Sequence, residues 1–222
     1  MWKLQLHRRL YAKRVSGTAL QQCWRAPLPS TSSDWRRVSF LVVDAEMSSL
    51  DVNDGELLSV GWVEVEGGSI ALASARHYLI KAEKSVGQSA TIHHLRDCEL
   101  TEADTRAEVL QRFLEAAAGK VLVFHNASLD MSYLNGVSRR EFDAPVLMPC
   151  VDTLLLEKTL LDRRDTPIKS GDLRLQACRD RYNLPPYPAH NALLDALATA
   201  ELLVAHARHR AGSGDFPLSS LL

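Results

Sequence analysis

Short runs of apolar and β-branched residues alternate along the chain with longer stretches in which apolar residues recur at helical spacing. Runs of the first kind predict buried strands, and stretches of the second kind predict helices that pack one face against a core. Phe40–Val43 is the clearest strand, and Gly67-Gly68 marks a hairpin turn further on. We expect strands over residues 40–46, 56–66, 69–80, 120–124 and 146–151, and helices over residues 101–118, 127–138, 154–161, 172–182 and 190–210.

The order of these elements predicts the fold class. Three successive strands form an antiparallel meander, and the later strands, which follow helices, join the same sheet through crossover connections. Pro149 interrupts the last run, and proline inside a sheet is confined to its edges, so this strand should be an edge strand. The sequence therefore predicts an α/β fold with a mixed five-stranded sheet and helices on both faces.

Three segments follow from this pattern. A basic N-terminal extension and linker covers residues 1–36, the main domain covers residues 37–210, and residues 211–222 form a tail that is expected to fray.

The extension contains no Asp or Glu before Asp34, and apolar residues recur in it every four positions, at Trp2, Leu6 and Leu10. This spacing predicts a short amphipathic helix. The helix either packs on the domain or contacts nucleic-acid phosphates. Alternatively, the segment is a mitochondrial transit peptide, which has the same acid-free, arginine-rich character.

Composition limits the functions open to the chain. The 222 residues carry a formal net charge of -1, so any nucleic-acid binding must rest on local basic patches. The four cysteines are far apart and lack zinc-ligand spacing, and we interpret them as reduced thiols. No apolar run reaches the roughly 18 residues that a membrane span needs. We therefore expect a cytoplasmic protein without a membrane partner.

Two carboxylates stand at the end of the first strand. Side chains two residues apart on a strand point the same way, so Asp44 and Glu46 should lie side by side at the edge of the core. Adjacent carboxylates repel each other and burial raises that cost, which a hard divalent cation would relieve. The alternative is that the pair emerges into solvent where the strand ends.

Two aspartates occupy the apolar faces of their predicted helices. Asp130 shares its face with Leu134 and Val137, and Asp195 shares a stripe with small alanines. Each could be a capped or ion-paired acid, but together with the strand pair they suggest one metal site. His190, five residues before Asp195, can face that site only from at or before the first helical turn. A histidine at a helix start or on the surface is the plainer interpretation.

These residues resemble the DEDDh (DnaQ-like) group of 3′–5′ exonucleases, which includes the proofreading subunit of bacterial replicative DNA polymerase. The resemblance runs from about Val38 to Ala207 and is carried by three motifs in order: Asp44-Ala45-Glu46, His125–Asp130 and His190–Ala200. Ile92-His93 also looks like a segment of that family. The resemblance implies an RNase H-like fold, in agreement with the order of elements.

The resemblance also implies a site. Two Mg²⁺ or Mn²⁺ ions would be held by Asp44, Glu46, Asp130 and Asp195, with His190 as the general base. Further residues fall at positions that would contact the substrate, although plainer structural roles are equally open for them: Met47, Leu50, His93 and Asn126.

Two departures from the family pattern leave the base and sugar preference open. Met47-Ser48-Ser49 stands where the family often has two threonines and a glycine, and Leu129 stands where it often has phenylalanine. The expected activity is therefore 3′–5′ hydrolysis of single-stranded ends, of DNA first, with release of nucleoside 5′-monophosphates. The alternatives are an RNA-directed exoribonuclease of the same family and a non-catalytic adaptor associated with a polymerase.

Partners are expected among 3′ ends of single-stranded DNA or RNA and, beyond these, a DNA polymerase or a sliding clamp. The clamp is suggested by Pro217–Leu222, which resembles the short apolar peptides that bind bacterial clamps.

Overall fold

A mixed five-stranded sheet forms the centre of the computed structural model, which describes residues 2–82, 103–165 and 167–222. The strand order is β3-β2-β1-β4-β5, with β1–β2 and β2–β3 antiparallel and β1–β4 and β4–β5 parallel. The predicted sheet and the edge position of β5 are confirmed. The strands are β1 (Phe40–Met47), β2 (Leu57–Glu66), β3 (Ser69–Leu79), β4 (Val121–Phe124) and β5 (Cys150–Asp152).

Seven α-helices are found among the described residues, and most lie where the sequence predicts them. Of the five helices predicted from residue 101 onward, four begin at a residue other than the predicted one, and in two of these a side-chain cap sets the first residue. Thr105 and Glu108 form a capping box, so the third helix begins at 106 rather than 101, and Asn191 caps the last helix, which begins at 192. The helices are α1 (Trp2–Tyr11), α2 (Ala19–Arg25), α3 (Arg106–Ala117), α4 (Ala127–Phe142), α5 (Thr153–Arg163), α6 (Leu175–Asp180) and α7 (Ala192–Ala211).

The sheet separates two apolar cores. On one face, Leu41 and Val43 pack with α3, α4 and residues of α2. On the other face, Phe40 and Val42 pack with α7. Alternate residues of β1 therefore supply the two cores, which is the pattern of a strand covered on both sides.

The N-terminal helix turns one arginine inward. Arg8 is buried, and its guanidinium donates hydrogen bonds to the carbonyl oxygens of Leu147 (2.7 Å) and Trp24 (3.0 Å). The apolar stripe of the predicted amphipathic helix lies on the solvent side instead, with Trp2, Leu6 and Leu10 between 50% and 72% exposed. The helix is present as predicted, and it is anchored by a satisfied arginine rather than by its apolar face.

The C-terminal tail does not fray, contrary to expectation. Leu218 and Leu221 are buried in the α7-side core beside Trp35. The Leu218 N–H donates to the Ser33 carbonyl (2.9 Å), and the Phe216 N–H donates to Asp34 Oδ2 (2.8 Å). Burial and backbone pairing therefore order this segment. The division of the chain at residues 36/37 and 210/211 into separate segments stays a prediction.

Within the described residues, no helix is both long and apolar enough to cross a lipid bilayer.

A buried polar network joins α5, α6 and α7. Glu157 of α5 is fully buried and accepts hydrogen bonds from the Tyr182 hydroxyl (2.7 Å) and from Arg181 Nε (3.1 Å), while His206 Nδ1 lies 2.9 Å from Oε1. Burial acts to raise the pKa of Glu157, but these three partners together outweigh it and hold the pKa below its usual value. The ionised carboxylate therefore stabilises the packing of the three helices.

Replacing Glu157 with glutamine should destabilise the fold by about 3 kcal/mol at pH 7, because it removes the charge of a buried, fully bonded carboxylate. Since the folded-state pKa is lowered, the stability contributed by Glu157 is present above its unfolded pKa of about 4.3 and is lost as the pH falls through the folded value. Urea unfolding of both proteins between pH 7 and pH 3 should show the difference shrinking below pH 4. Asp162→Asn, on the exposed side of α5, is the matched control and should change stability little. An equal effect of the two substitutions would contradict the assignment.

Candidate active site

Three carboxylates converge at the carboxyl end of β1. The alternation of β1 places Asp44 and Glu46 on the same face as Phe40 and Val42, which is the face that α7 covers. Asp195 lies in the first turn of α7. One carboxylate oxygen from each of Asp44, Glu46 and Asp195 lies within 4.8 Å of the others. The expected convergence of the strand pair with Asp195 is therefore observed.

A glycine permits this convergence. Gly61 of β2 pairs with Asp44 in the sheet, and α7 begins directly above it. A Cβ atom at position 61 would lie 2.5 Å from Leu193 Cα and closer still to the backbone atoms Leu193 N and Ala192 C. These are backbone atoms, which cannot move aside as the end of a flexible side chain can. Gly61 is not among the site residues predicted from the sequence, although an isolated glycine inside a strand is a known signal of close backbone approach.

Asp130 reaches the site from a helix on the other face of the sheet. It is only 4% exposed, and its Oδ1 atom has no hydrogen-bond partner among the described residues. It does not belong to the trio within 4.8 Å. Burial, followed by the charges of Glu46 and Asp152, raises the pKa of Asp130 to about 8, against the opposing effect of backbone N–H groups. Its buried and unbonded oxygen is a polar group that a cation would satisfy.

The other aspartates are perturbed in the same direction. Burial raises the pKa of Asp44 well above its usual value, and the charges of Asp130, Asp195 and Glu46 raise it further. The pKa of Asp195 is also raised, by burial first and then by Glu46. Each shift reports the cost of collecting negative charge away from water. Because carboxylate oxygens are the preferred ligands of hard divalent cations, the cluster fits a divalent metal site.

His190 lies outside α7, two residues before its first residue. Its backbone is in the left-handed region (φ +68°), and its N–H donates to Asp195 Oδ2 at 2.8 Å. The residue is exposed, and the Asn191 side chain caps the helix after it by accepting from the Leu194 N–H (3.1 Å). A backbone hydrogen bond thus holds His190 beside a carboxylate of the site, and the residue is exposed.

The residues expected to contact substrate differ in their exposure to solvent. Leu50 is 82% exposed in the loop between β1 and β2, whereas Met47 is buried in the core on the α3 side. Tyr133 of α4 holds this loop, since its hydroxyl lies 2.6 Å from the Ser49 carbonyl oxygen. His93 lies outside the described residues. The substrate roles of Met47, Leu50, His93 and Asn126 stay predictions.

Asn126 occupies the N-cap position of α4, but its side chain does not cap the helix. Asp152 does so from β5: its carboxylate accepts from the backbone N–H groups of Asn126 and Ala127, both at 3.0 Å, and also from the Leu154 N–H of α5 at 3.0 Å. One carboxylate therefore fastens the first turns of two helices. The contact with α4 joins residues 25 positions apart in the sequence, so local sequence patterns do not predict it.

Gly61→Ala should displace the first turn of α7 and thereby move Asp195 away from Asp44. We expect the affinity for Mn²⁺ to fall at least roughly tenfold, since a small misplacement of one ligand costs a large share of metal affinity. Isothermal titration calorimetry on the folded variant, checked by circular dichroism, measures this.

Gly136→Ala is the matched control, because a Cβ atom at this helical glycine meets nothing within 4 Å. It should bind Mn²⁺ as the wild type does and gain about 0.5–1 kcal/mol of stability. Wild-type Mn²⁺ binding by Gly61→Ala would show that the close approach does not position Asp195.

Comparison with known proteins agrees with this site. The RNase T exonuclease family matches residues 41–203. The chain is 29% identical over 176 residues to a PolC-type DNA polymerase III of Thermotoga maritima, and 28% identical over 170 residues to a DNA polymerase III subunit epsilon-like protein of Rhodobacter capsulatus. These matches cover 79% and 74% of this chain but only 12% and 23% of the relatives.

Among solved structures, the zinc-bound complex of E. coli exonuclease I with single-stranded DNA has a TM-score of 0.66 at 14% identity, over 78% of this chain and 41% of that one. The complex of exonuclease I with SSB-Ct has a TM-score of 0.65 at 13% identity, over 78% and 42%. These likenesses support the RNase H-like, DnaQ-type fold. With the family match over most of the chain and the acidic cluster in place, the chain belongs to the RNase T (DnaQ-like) family of exonucleases, hydrolases of phosphodiester bonds.

Proposed function

We propose that the chain is a 3′–5′ exonuclease that uses two divalent cations, Mg²⁺ or Mn²⁺, to release nucleoside 5′-monophosphates from single-stranded 3′ ends. The observation that carries this proposal is the convergence of Asp44, Glu46 and Asp195 within 4.8 Å on two elements of the fold. An exonuclease fold that had lost its activity would gain nothing from holding these acids together against their repulsion.

The carboxylates have a defined task in this proposal. Asp44 and Glu46 from the strand and Asp195 from α7 would hold the cations, and Asp130, with its unbonded oxygen, would complete the set. Bound cations would supply an activated water and stabilise the charge on the leaving oxygen. The close packing of α7 on β2 keeps the ligands at fixed spacing before substrate arrives.

His190 would accept the proton of the attacking water. Its backbone N–H is tied to Asp195, so the residue cannot drift far from the site, while its exposed position leaves the imidazole access to solvent and substrate. An imidazole nitrogen is a suitable proton acceptor in general acid–base catalysis. A general base of this kind contributes typically 10²–10⁴-fold to the rate.

Single-stranded DNA is the proposed substrate. Exonuclease I, whose fold this chain shares, has been solved with single-stranded DNA, and the relatives named above are DNA polymerase III proteins. Association with a DNA polymerase is proposed on the same ground. A sliding-clamp contact through Pro217–Leu222 is less favoured, because Leu218 and Leu221 are buried in the chain's own core.

The test is degradation of a 5′-labelled single-stranded DNA, and of an RNA of matched sequence, with Mg²⁺ or Mn²⁺. The wild type should produce a ladder that shortens from the 3′ end. Asp44→Asn, which keeps shape and removes charge, should reduce activity to background. His190→Asn should lower kcat by 10²–10⁴-fold, because asparagine tolerates the left-handed backbone but cannot accept the proton.

The control for His190 is His209→Asn, an exposed histidine in the last turn of α7, which should leave kcat unchanged. Full activity of His190→Asn would exclude the general-base role. Faster cleavage of the RNA would assign the exoribonuclease alternative. A folded wild type that binds both strands and shortens neither would favour the adaptor.

A further inference from the structure

A groove of about 490 Å³ opens beside the first turn of α4. It is formed by this turn, the start of α5 and the segment of residues 167–174 that leads into α6. The residues that line it include Asn126, Leu154, Ile168, Lys169, Leu173 and Arg174. None of the described residues that line it is acidic.

The groove adjoins the acidic cluster without being part of it. The strands β1, β4 and β5 are parallel neighbours, so their carboxyl ends share one edge of the sheet. Asp44 and Glu46 stand at the first of these ends, Asn126 follows the second, and the groove extends to Leu154 after the third. Two strand spacings, about 10 Å, separate β1 from β5. A phosphate in contact with the acids therefore could not occupy the groove, but a neighbouring nucleotide could.

The walls of the groove are held in place. Asp152 binds the backbone of Asn126 and Ala127 on one side and that of Leu154 on the other. On the far side, His125 Nε2 lies 2.9 Å from the Leu173 carbonyl oxygen, and because a carbonyl only accepts, the imidazole donates. The groove is thus built from the same first turn of α4 that carries Asp130.

The chemistry of the groove fits a nucleotide. The exposed side chains of Lys169 and Arg174 form no ion pair with any residue in the described part of the chain. Leu154, Ile168 and Leu173 provide an apolar, half-buried surface beneath them. Two cationic side chains beside an apolar surface can bind a phosphate and pack against a base at the same time. The volume of the groove lies in the range of small-ligand pockets.

We propose that this groove is a subsite for a nucleotide of the single strand other than the one being released. The inference rests on the proposed function, because it places the groove relative to the bond that is cut. Lys169 and Arg174 bind a backbone phosphate. Leu154, Leu173 and Ile168 pack against a base, and this contact does not distinguish one base from another. The subsite strengthens binding of strands long enough to reach it and does nothing for a single nucleotide.

The test compares two substrates on Lys169→Ala/Arg174→Ala. One is a single-stranded oligonucleotide of about ten residues, and the other is the 4-nitrophenyl ester of thymidine 5′-monophosphate, which cannot reach the groove. We expect the ratio of kcat/KM for the oligonucleotide to that for the ester to fall about tenfold, through KM. In EDTA, the slope of log Kd against log salt should fall by about 0.7 for each phosphate contact removed.

The control is Arg139→Ala/Arg140→Ala, which removes two exposed arginines at the far end of α4. An unchanged ratio in the groove variant, or an equal fall in the control, would overturn the proposal. If the wild type cleaves neither substrate, the proposed function fails. Binding of the oligonucleotide in EDTA then tests the subsite separately, because equal Kd values for the wild type and the groove variant would reject it.

Discussion

Contact between the backbone of α7 and the backbone of β2 is the constraint on which the acidic cluster depends. Asp195 can meet Asp44 only because position 61 carries no side chain. This close approach brings carboxylates together where they are shielded from water. Burial and mutual repulsion raise the pKa values of Asp44, Asp130 and Asp195, which shows that ionising them there is unfavourable. That cost has to be met by the packing elsewhere in the fold.

Polar contacts from two neighbouring helices hold α7 in this position. Arg179 of α6 is fully buried and donates to the Ala198 carbonyl oxygen (2.5 Å) and to Glu201 (2.8 Å). Glu157 of α5 meets His206 further along α7. Unlike apolar contacts, such bonds have direction and fixed length, so they resist sliding of the helix along the sheet. The alanines on the sheet-facing side of α7 allow the helix to pack close to the sheet. The buried charged side chains fix its position along the sheet.

Local patterns were sufficient to predict the sheet, its edge strand and most helices, because apolar spacing reports which face of an element is covered. They also suggested that the inward-facing acids share one site with the strand pair, and Asp195 does lie beside Asp44 and Glu46. The contacts that span long stretches of chain were not accessible in this way. Nothing near Asp152 indicates that it caps α4, and nothing near Arg8 indicates that it turns inward while apolar neighbours face water.

The C-terminal tail meets the segment before β1 on the α7 side of the sheet, where Phe216 and Leu218 pair with residues 33–34 and Trp35 is fully buried beside them. All of these residues lie outside the stretch of residues 41–203 that the family match covers. A fragment trimmed to that stretch would open the core beneath β1 to water and lose its backbone partners. We therefore expect a fragment limited to residues 41–203 to be less stable than the whole chain, because the buried residues that it lacks belong to the same core.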